Sequence, residues 1–190
     1  DADGFDDAAY SSGTDLCFVS GRDTSVLRTL PVSGARALAP AGDVDGDGVT
    51  DLVVGQPDED GGHGRARVFS GASGGELLTL EPQRVAPRRI RVHSYARSDL
   101  FGTAVAGVGD IDGDGHADIA VGAPRAPHPT DCHERFRQEG YVAVFSGATG
   151  ARLHLFVGQG LLDSYREPWS EAFGFCVAGC GDWDRDGVPD

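Results

Sequence analysis

The sequence predicts an all-β protein made of repeated four-stranded antiparallel blades, the unit of a β-propeller. Three observations carry this. An aspartate-rich loop recurs along the chain, its complete copies starting 67 and 72 residues apart. Between the loops lie short β-branched and aromatic runs separated by Gly-rich turns, four runs to a unit. No window sustains the 3.6-residue periodicity of an amphipathic helix. Short strands repeating at this period are the pattern of propeller blades.

The repeated elements follow one another in a fixed order. "DVDGDGVTDLVVGQP" covers residues 43–57, "DIDGDGHADIAVGAP" covers 110–124, and "DWDRDGVPD" covers 182–190. The opening "DADGFDD" reads as the same loop cut after its second place. Asp1, Asp3 and Asp7 then hold places three, five and nine. A second element, "VFSGASGGELLTL" at 68–80, returns as "VFSGATGARLHLF" at 144–156 and more loosely as "FVSGRDTSVLRTL" at 18–30. A third precedes the later loops: "FGTAVAGVGD" from Phe101 and "FGFCVAGCGD" from Phe173, with the Phe-Gly pair lost from "ARALAPAGD" before Asp43. In the best copy the strands are expected over 103–109, 118–122, 141–145 and 152–156. The chain forms one region over 1–190, holding about three blades. It begins inside one copy, ends inside another and has no Met, so it reads as part of a longer chain.

Composition narrows the function. A formal net charge of −14 disfavours nucleic acid and anionic membranes as partners and favours cations. No apolar run reaches the roughly 18 residues of a membrane span. Every basic residue is Arg, which points to a GC-rich coding sequence and a bacterial source. The cysteines Cys17, Cys132, Cys176 and Cys180 match no zinc spacing. Cys176 and Cys180 fall in a strand-like segment that would hold them about 13 Å apart, too far for a disulfide. All four read as small apolar residues in strands.

The loop spacing is D-x-D-x-D-G-x-x-D. In a tight loop, alternate side chains turn toward one centre, so places one, three and five present carboxylates there. A main-chain carbonyl can join from place seven, and Asp at place nine closes the shell. Six to eight hard oxygens at about 2.3–2.6 Å suit Ca²⁺, whereas Mg²⁺ demands a stricter octahedron and fewer protein ligands. One calcium ion per complete loop makes three. The glycines at places four and six, Gly46 and Gly48 or Gly113 and Gly115, allow positive-φ turns around the ion. Arg185 replaces the first of these in the last copy and is expected to weaken it. An EF-hand loop would need Glu at place twelve and flanking helices, but Val54 and Val121 stand there. Asp and Gly also favour plain solvated turns; three intact copies and a truncated one argue for the metal.

"FGTAVAGVGDIDGDGHADIAVGAP" closely resembles the FG-GAP repeat, the calcium-binding blade unit of integrin α-subunit propellers. Phe101-Gly102 and Gly122-Ala123-Pro124 match its two namesake elements. The resemblance implies four-stranded antiparallel blades and a loop joining two strands within each. It implies ligation by Asp110, Asp112, Asp114, Asp118 and the His116 carbonyl. In the other copies it implies Asp43, Asp45, Asp47, Asp51 and the Val49 carbonyl, then Asp182, Asp184, Asp186, Asp190 and the Val188 carbonyl. The truncated copy would offer Asp1, Asp3, Asp7 and the Phe5 carbonyl. Two copies depart from the pattern, with Gly55-Gln56-Pro57 and Tyr10-Ser11-Ser12 in place of Gly-Ala-Pro. Family propellers have about seven blades, so others are expected from the parent chain or an oligomer.

The first functional expectation is a non-catalytic, exported calcium-binding module for adhesion or protein–protein interaction. Its partner surface would lie in the long variable segments 82–99, 125–139 and 158–172, rich in Arg and carrying Trp169. Read plainly, these are solvated insertions. The second is carbohydrate recognition, with Trp169, Tyr165 or Tyr95 stacking on sugar. No such aromatic recurs from blade to blade, which counts against it. The third is an accessory domain of an exported enzyme. No nucleophile and base stand together in the sequence, and His133 beside Cys132 has no companion ligand.

Overall fold

The computed structural model describes residues 3–82, 98–126, 140–158 and 172–189. Within these residues, eleven strands form three antiparallel sheets. The first holds β1 (Ala8–Ser11), β2 (Leu16–Val19) and β3 (Val26–Leu30) in that order. The second holds β4 (Ala37–Gly42), β5 (Asp51–Gln56), β6 (Arg65–Phe69) and β7 (Glu76–Leu80). The third holds β8 (Ala104–Gly109), β9 (Asp118–Ala123), β10 (Tyr141–Phe145) and β11 (Arg152–Val157). Each sheet is a meander of neighbours in sequence, as short Gly-rich turns dictate. Among the described residues, helix is limited to one turn at Glu59–Gly62, interrupted by positive φ at Asp60 and Gly61. Among the described residues, no helix is long and apolar enough to cross a membrane.

The sheets stack face to face. Val53, Val68, Phe101, Val105, Ile119 and Phe145 belong to one core between the second and third sheets. Leu16, Val32, Val54 and Phe69 close a smaller core between the first and second. Val53 and Val54 are successive residues of β5 in different cores, so this strand is buried on both faces. β9 is buried at all six positions. Double-sided burial explains the unbroken apolar runs "LVVG" and "IAVGA", where a one-sided strand would alternate.

Glycine sets how closely the sheets approach. Phe101 N–H donates to the His63 carbonyl at 3.1 Å and Leu100 N–H to the Gly62 carbonyl at 3.0 Å, so the start of the third blade latches onto the second. A Cβ at Gly55 would collide with the Gly102 carbonyl oxygen, and one at Gly122 with the Gly174 oxygen. The glycine of each Phe-Gly pair therefore sits on the penultimate residue, a glycine, of the preceding blade's buried strand. The aromatic half fills the core: Phe101 is fully buried, edge-on to Phe145 at 6.0 Å and tilted against Tyr141 at 6.3 Å. Where the Phe-Gly pair is missing, Gly34 N–H still reaches the Gly13 carbonyl at 3.3 Å, and Val32 is buried in that smaller core.

One expectation needs correction. Residues 175–181 form no strand, and Cys176 and Cys180 are exposed rather than buried. The segment does lie where an inner strand would, since a Cβ at Gly179 would meet the Gly107 carbonyl of β8. A ladder needs hydrogen bonding along a neighbour's whole edge, and no described residues run beside this segment as β9 runs beside β8. Cys17 behaves as expected, buried in β2.

Candidate metal centre

The loops at 43–51 and 110–118 each leave an inner strand through a bulge. The β4–β5 register slips between Pro40 and Gly42, and the β8–β9 register between Gly107 and Gly109. Gly42 and Gly109, with φ of 84° and 77°, turn the chain out of the sheet just before place one. Places four and six follow with positive φ: 80° and 83° at Gly46 and Gly48, 76° and 92° at Gly113 and Gly115.

The place-one carboxylate organises the loop from within. Asp43 Oδ1 accepts from Gly46 N at 2.8 Å and Asp47 N at 3.0 Å, and its Oδ2 accepts from Gly48 N at 2.9 Å. Asp110 repeats the pattern with Gly113, Asp114 and Gly115 at the same three distances. Asp182 accepts from Asp186 N and Gly187 N, both at 3.0 Å. Place five caps place seven: Asp47 accepts from Val49 N, Asp114 from His116 N, Asp186 from Val188 N and Asp3 from Phe5 N, at 2.8–2.9 Å.

Place nine sits deepest. Asp51 and Asp118 are buried, and each divides its two oxygens in the same way. Asp51 Oδ2 accepts from Val44 N at 2.7 Å and Oδ1 from Gly71 N at 2.9 Å. Asp118 Oδ2 accepts from Ile111 N at 2.8 Å and Oδ1 from Gly147 N at 2.9 Å. Burial pushes both carboxyls above the ordinary aspartate range, against the pull of those amides; Asp45 and Asp112 add repulsion in the same direction. Asp7 accepts the equivalent bond from Gly21 N at 3.1 Å but is exposed, and that bond chiefly holds its pKa down.

The turn glycines Gly21, Gly71 and Gly147 are the functional residues that loop spacing alone did not mark. The signal was present in the recurring Ser-Gly pair of the second element. Ser20, Ser70 and Ser146 are buried, and each receives the turn's closing amide, from Thr24, Gly74 and Gly150 at 2.8–2.9 Å. The next residue must be Gly: a Cβ at Gly71 or Gly147 would strike the carbonyl oxygen of Thr50 or Ala117, place eight of its own loop.

The loops bring carboxylates together in three groups. Asp43, Asp45 and Asp51 offer oxygens within 4.8 Å of one another, as do Asp110, Asp112 and Asp118, and as do Asp182, Asp184 and Asp186. Places one, three and nine thus converge in the loops at 43–51 and 110–118, and places one, three and five in the loop at 182–190. Asp47 and Asp114 lie outside these groups. Asp1 and Asp190 lie outside the described residues. So do Cys132, His133, Tyr95, Tyr165, Trp169 and most of the three variable segments. A donor set made wholly of carboxylate and carbonyl oxygen fits a hard cation.

The family model of the FG-GAP repeat matches residues 35–73 and 101–145; the first stretch runs from an inner strand through the loop to the Ser-Gly turn, and the second ends at Phe145, just before it. The chain is 32% identical over 158 residues to integrin alpha-PS2 of Drosophila melanogaster, covering 78% of this chain. It is 33% identical over 151 residues to integrin alpha-6 of Gallus gallus, again covering 78%. Integrin alpha-X of Homo sapiens is 38% identical over 87 residues, or 46% of the chain. These are FG-GAP repeats of the integrin α type. The chain spans 10%, 12% and 7% of those three relatives, in that order. In this FG-GAP protein the two namesake elements meet across the blade boundary, Gly102 on Gly55 and Gly174 on Gly122.

Proposed function

We propose that each complete aspartate loop binds one Ca²⁺, and that the chain is a calcium-stabilised propeller segment of an exported adhesion or protein-interaction module. The buried place-nine carboxylates carry the calcium reading. Asp51 and Asp118 are aspartates in near-complete burial beside further carboxylates, and among the described residues their hydrogen bonds come from main-chain amides. Burying such a charge without compensation is costly. A divalent cation supplies the compensation and removes the repulsion within each group. The adhesion reading rests on the likeness to integrin α chains. Further blades, from a longer chain or another copy, would cover the exposed Val26 and Leu27 at one end and Phe175 at the other.

The test is a thermal melt in about 2 mM CaCl₂ and in excess EDTA, bracketing extracellular calcium. A site at about 100 times its dissociation constant adds about 2.7 kcal/mol. For a chain of this size that is a Tm rise of about 5–10 °C per site. Asp112→Ala should remove one such increment. A melt indifferent to calcium would overturn the assignment.

A further inference from the structure

Adjacent aspartate loops are joined directly, main chain to main chain. Ala117 N–H, place eight of the loop at 110–118, donates to the Asp43 carbonyl, place one of the loop at 43–51, at 2.9 Å. The next residue back contributes a second bond. His116 Nδ1 lies 2.8 Å from the Val44 carbonyl, and because a carbonyl only accepts, Nδ1 carries the proton. The fit leaves no slack. A Cβ at Gly42 would lie 2.5 Å from Ala117 Cβ, and one at Gly46 would lie 3.3 Å from His116 Cε1.

Traced peptide by peptide, these bonds form a relay. The peptide between Asp43 and Val44 accepts from Ala117 through its carbonyl and donates to Asp51 Oδ2 through its N–H, at 2.7 Å. Ala117 N–H belongs to the peptide whose carbonyl is that of His116, the place-seven oxygen that the spacing assigns to the ion. Two planar peptides therefore connect the place-seven carbonyl of one loop to the place-nine carboxylate of the next. A cation on the His116 oxygen would polarise its peptide and strengthen the Ala117 N–H as a donor. The Asp43–Val44 peptide would be polarised in turn, and Val44 N–H would bond Asp51 Oδ2 more strongly and hold that carboxylate in place. The shared backbone also has to be ordered only once for two ions.

We propose that calcium binding at loops 43–51 and 110–118 is positively cooperative through this relay, and that loop 182–190 binds independently of both. The inference rests on the calcium reading above. The third loop breaks the relay by its own sequence. Place eight there is Pro189, which has no N–H, and place seven is Val188, which has no ring to donate. Pro189 still packs where Ala117 does, with a Cβ at Gly109 falling 2.6 Å from Pro189 Cγ. Repulsion between two divalent ions opposes the coupling but is screened by solvent and salt.

The experiment is calorimetric titration of the full chain with Ca²⁺. An Asp184→Ala background silences the third loop. In it, Asp45→Ala should weaken calcium binding at loop 110–118 about fivefold or more, within the usual range of coupling between sites. Ala117→Pro copies the third loop and deletes the relay N–H, and should abolish that dependence while leaving every ligand in place. His116→Val, which keeps the main-chain bond, should reduce it, and decides the matter if Ala117→Pro does not fold. Asp184→Ala alone should leave the affinity of loop 110–118 unchanged. Asp45→Ala without effect on loop 110–118, or coupling that survives both relay variants, would overturn the proposal. Absence of any calcium heat in the unmodified chain would instead overturn the calcium reading on which it stands.

Discussion

Asp51 and Gly71 stand twenty residues apart and meet across a 2.9 Å hydrogen bond, carboxylate to amide. Gly147 makes the same bond to Asp118. Each ties the turn after a blade's third strand to the loop before its second. A side chain at either glycine would strike the backbone of its loop at place eight, and backbone cannot swing aside. Gly147→Ala should therefore displace the turn, strip Asp118 of one partner and cost about 2 kcal/mol. Gly113→Ala is the contrast. Its Cβ would meet nothing within 4 Å, and only its φ of 76° is strained, at about 1 kcal/mol. Urea unfolding in calcium should rank Gly147→Ala below Gly113→Ala. The opposite order would mean that the turn does not hold place nine.

Phe101 and Gly102 act on the blade boundary in different ways. Phe101→Ala empties a fully buried aromatic site and should cost about 3–5 kcal/mol. Gly55→Ala removes nothing, yet its Cβ would run into the Gly102 carbonyl, so the two sheets must part. Both variants should lower the unfolding midpoint. Only Gly55→Ala should do so without opening a cavity, and so should bind no more of an apolar reporter such as xenon than the unmodified chain does.

The blade was legible in the sequence because its strands are short and its punctuation is repeated. The expected runs 118–122 and 141–145 became β9 and β10 within one residue. The Ser-Gly element was visible as a repeat but not as an anchor. Spacing reveals which side chains share a centre within one loop; it does not show that Gly147 reaches Asp118 across 29 positions. The segment at 175–181 misled for a related reason. Its small apolar residues match β8, but a strand is a property of two chains of residues, and composition supplies one of them. The ring of His116 was invisible for the same reason, since its partner Val44 lies 72 residues away.

Asp51, Asp118 and Asp7 accept equivalent turn bonds but shift in opposite directions, because the first two are buried and the third is exposed. Carboxyl-carbon NMR in calcium-free buffer should find Asp51 and Asp118 titrating above the ordinary aspartate range and Asp7 below it. The consequence for stability has a definite sign. A carboxyl raised on folding binds more protons in the folded state, so its contribution is fully present below the unfolded pKa and is lost as pH rises through the folded one. For these two groups the metal-free fold weakens with rising pH across that window. Calcium needs the ionised form, so the stabilisation that it adds should grow over the same window. A calcium increment that stays flat through the titration of Asp118 would show that this carboxylate does not face the ion.

Arg185 occupies place four of the last loop, where the other copies carry Gly46 and Gly113, and it adopts φ of 65°. A side chain in the left-handed region costs about 1–2 kcal/mol relative to glycine. The loop keeps its form despite this, since Asp182 still accepts from Asp186 and Gly187 at 3.0 Å. The strain therefore falls on the loop's own stability. Arg185→Gly should release it and leave one positive charge fewer beside three carboxylates. These effects oppose each other for a metal-free loop: strain relief stabilises it, and loss of the guanidinium unmasks repulsion. With calcium bound, the repulsion is neutralised and only the relief remains. Arg185→Gly should thus raise Tm more in calcium than in EDTA, by about 2–4 °C for each kcal/mol released. An equal change in both conditions would show that the Arg185 guanidinium does not offset the carboxylate repulsion of the metal-free loop.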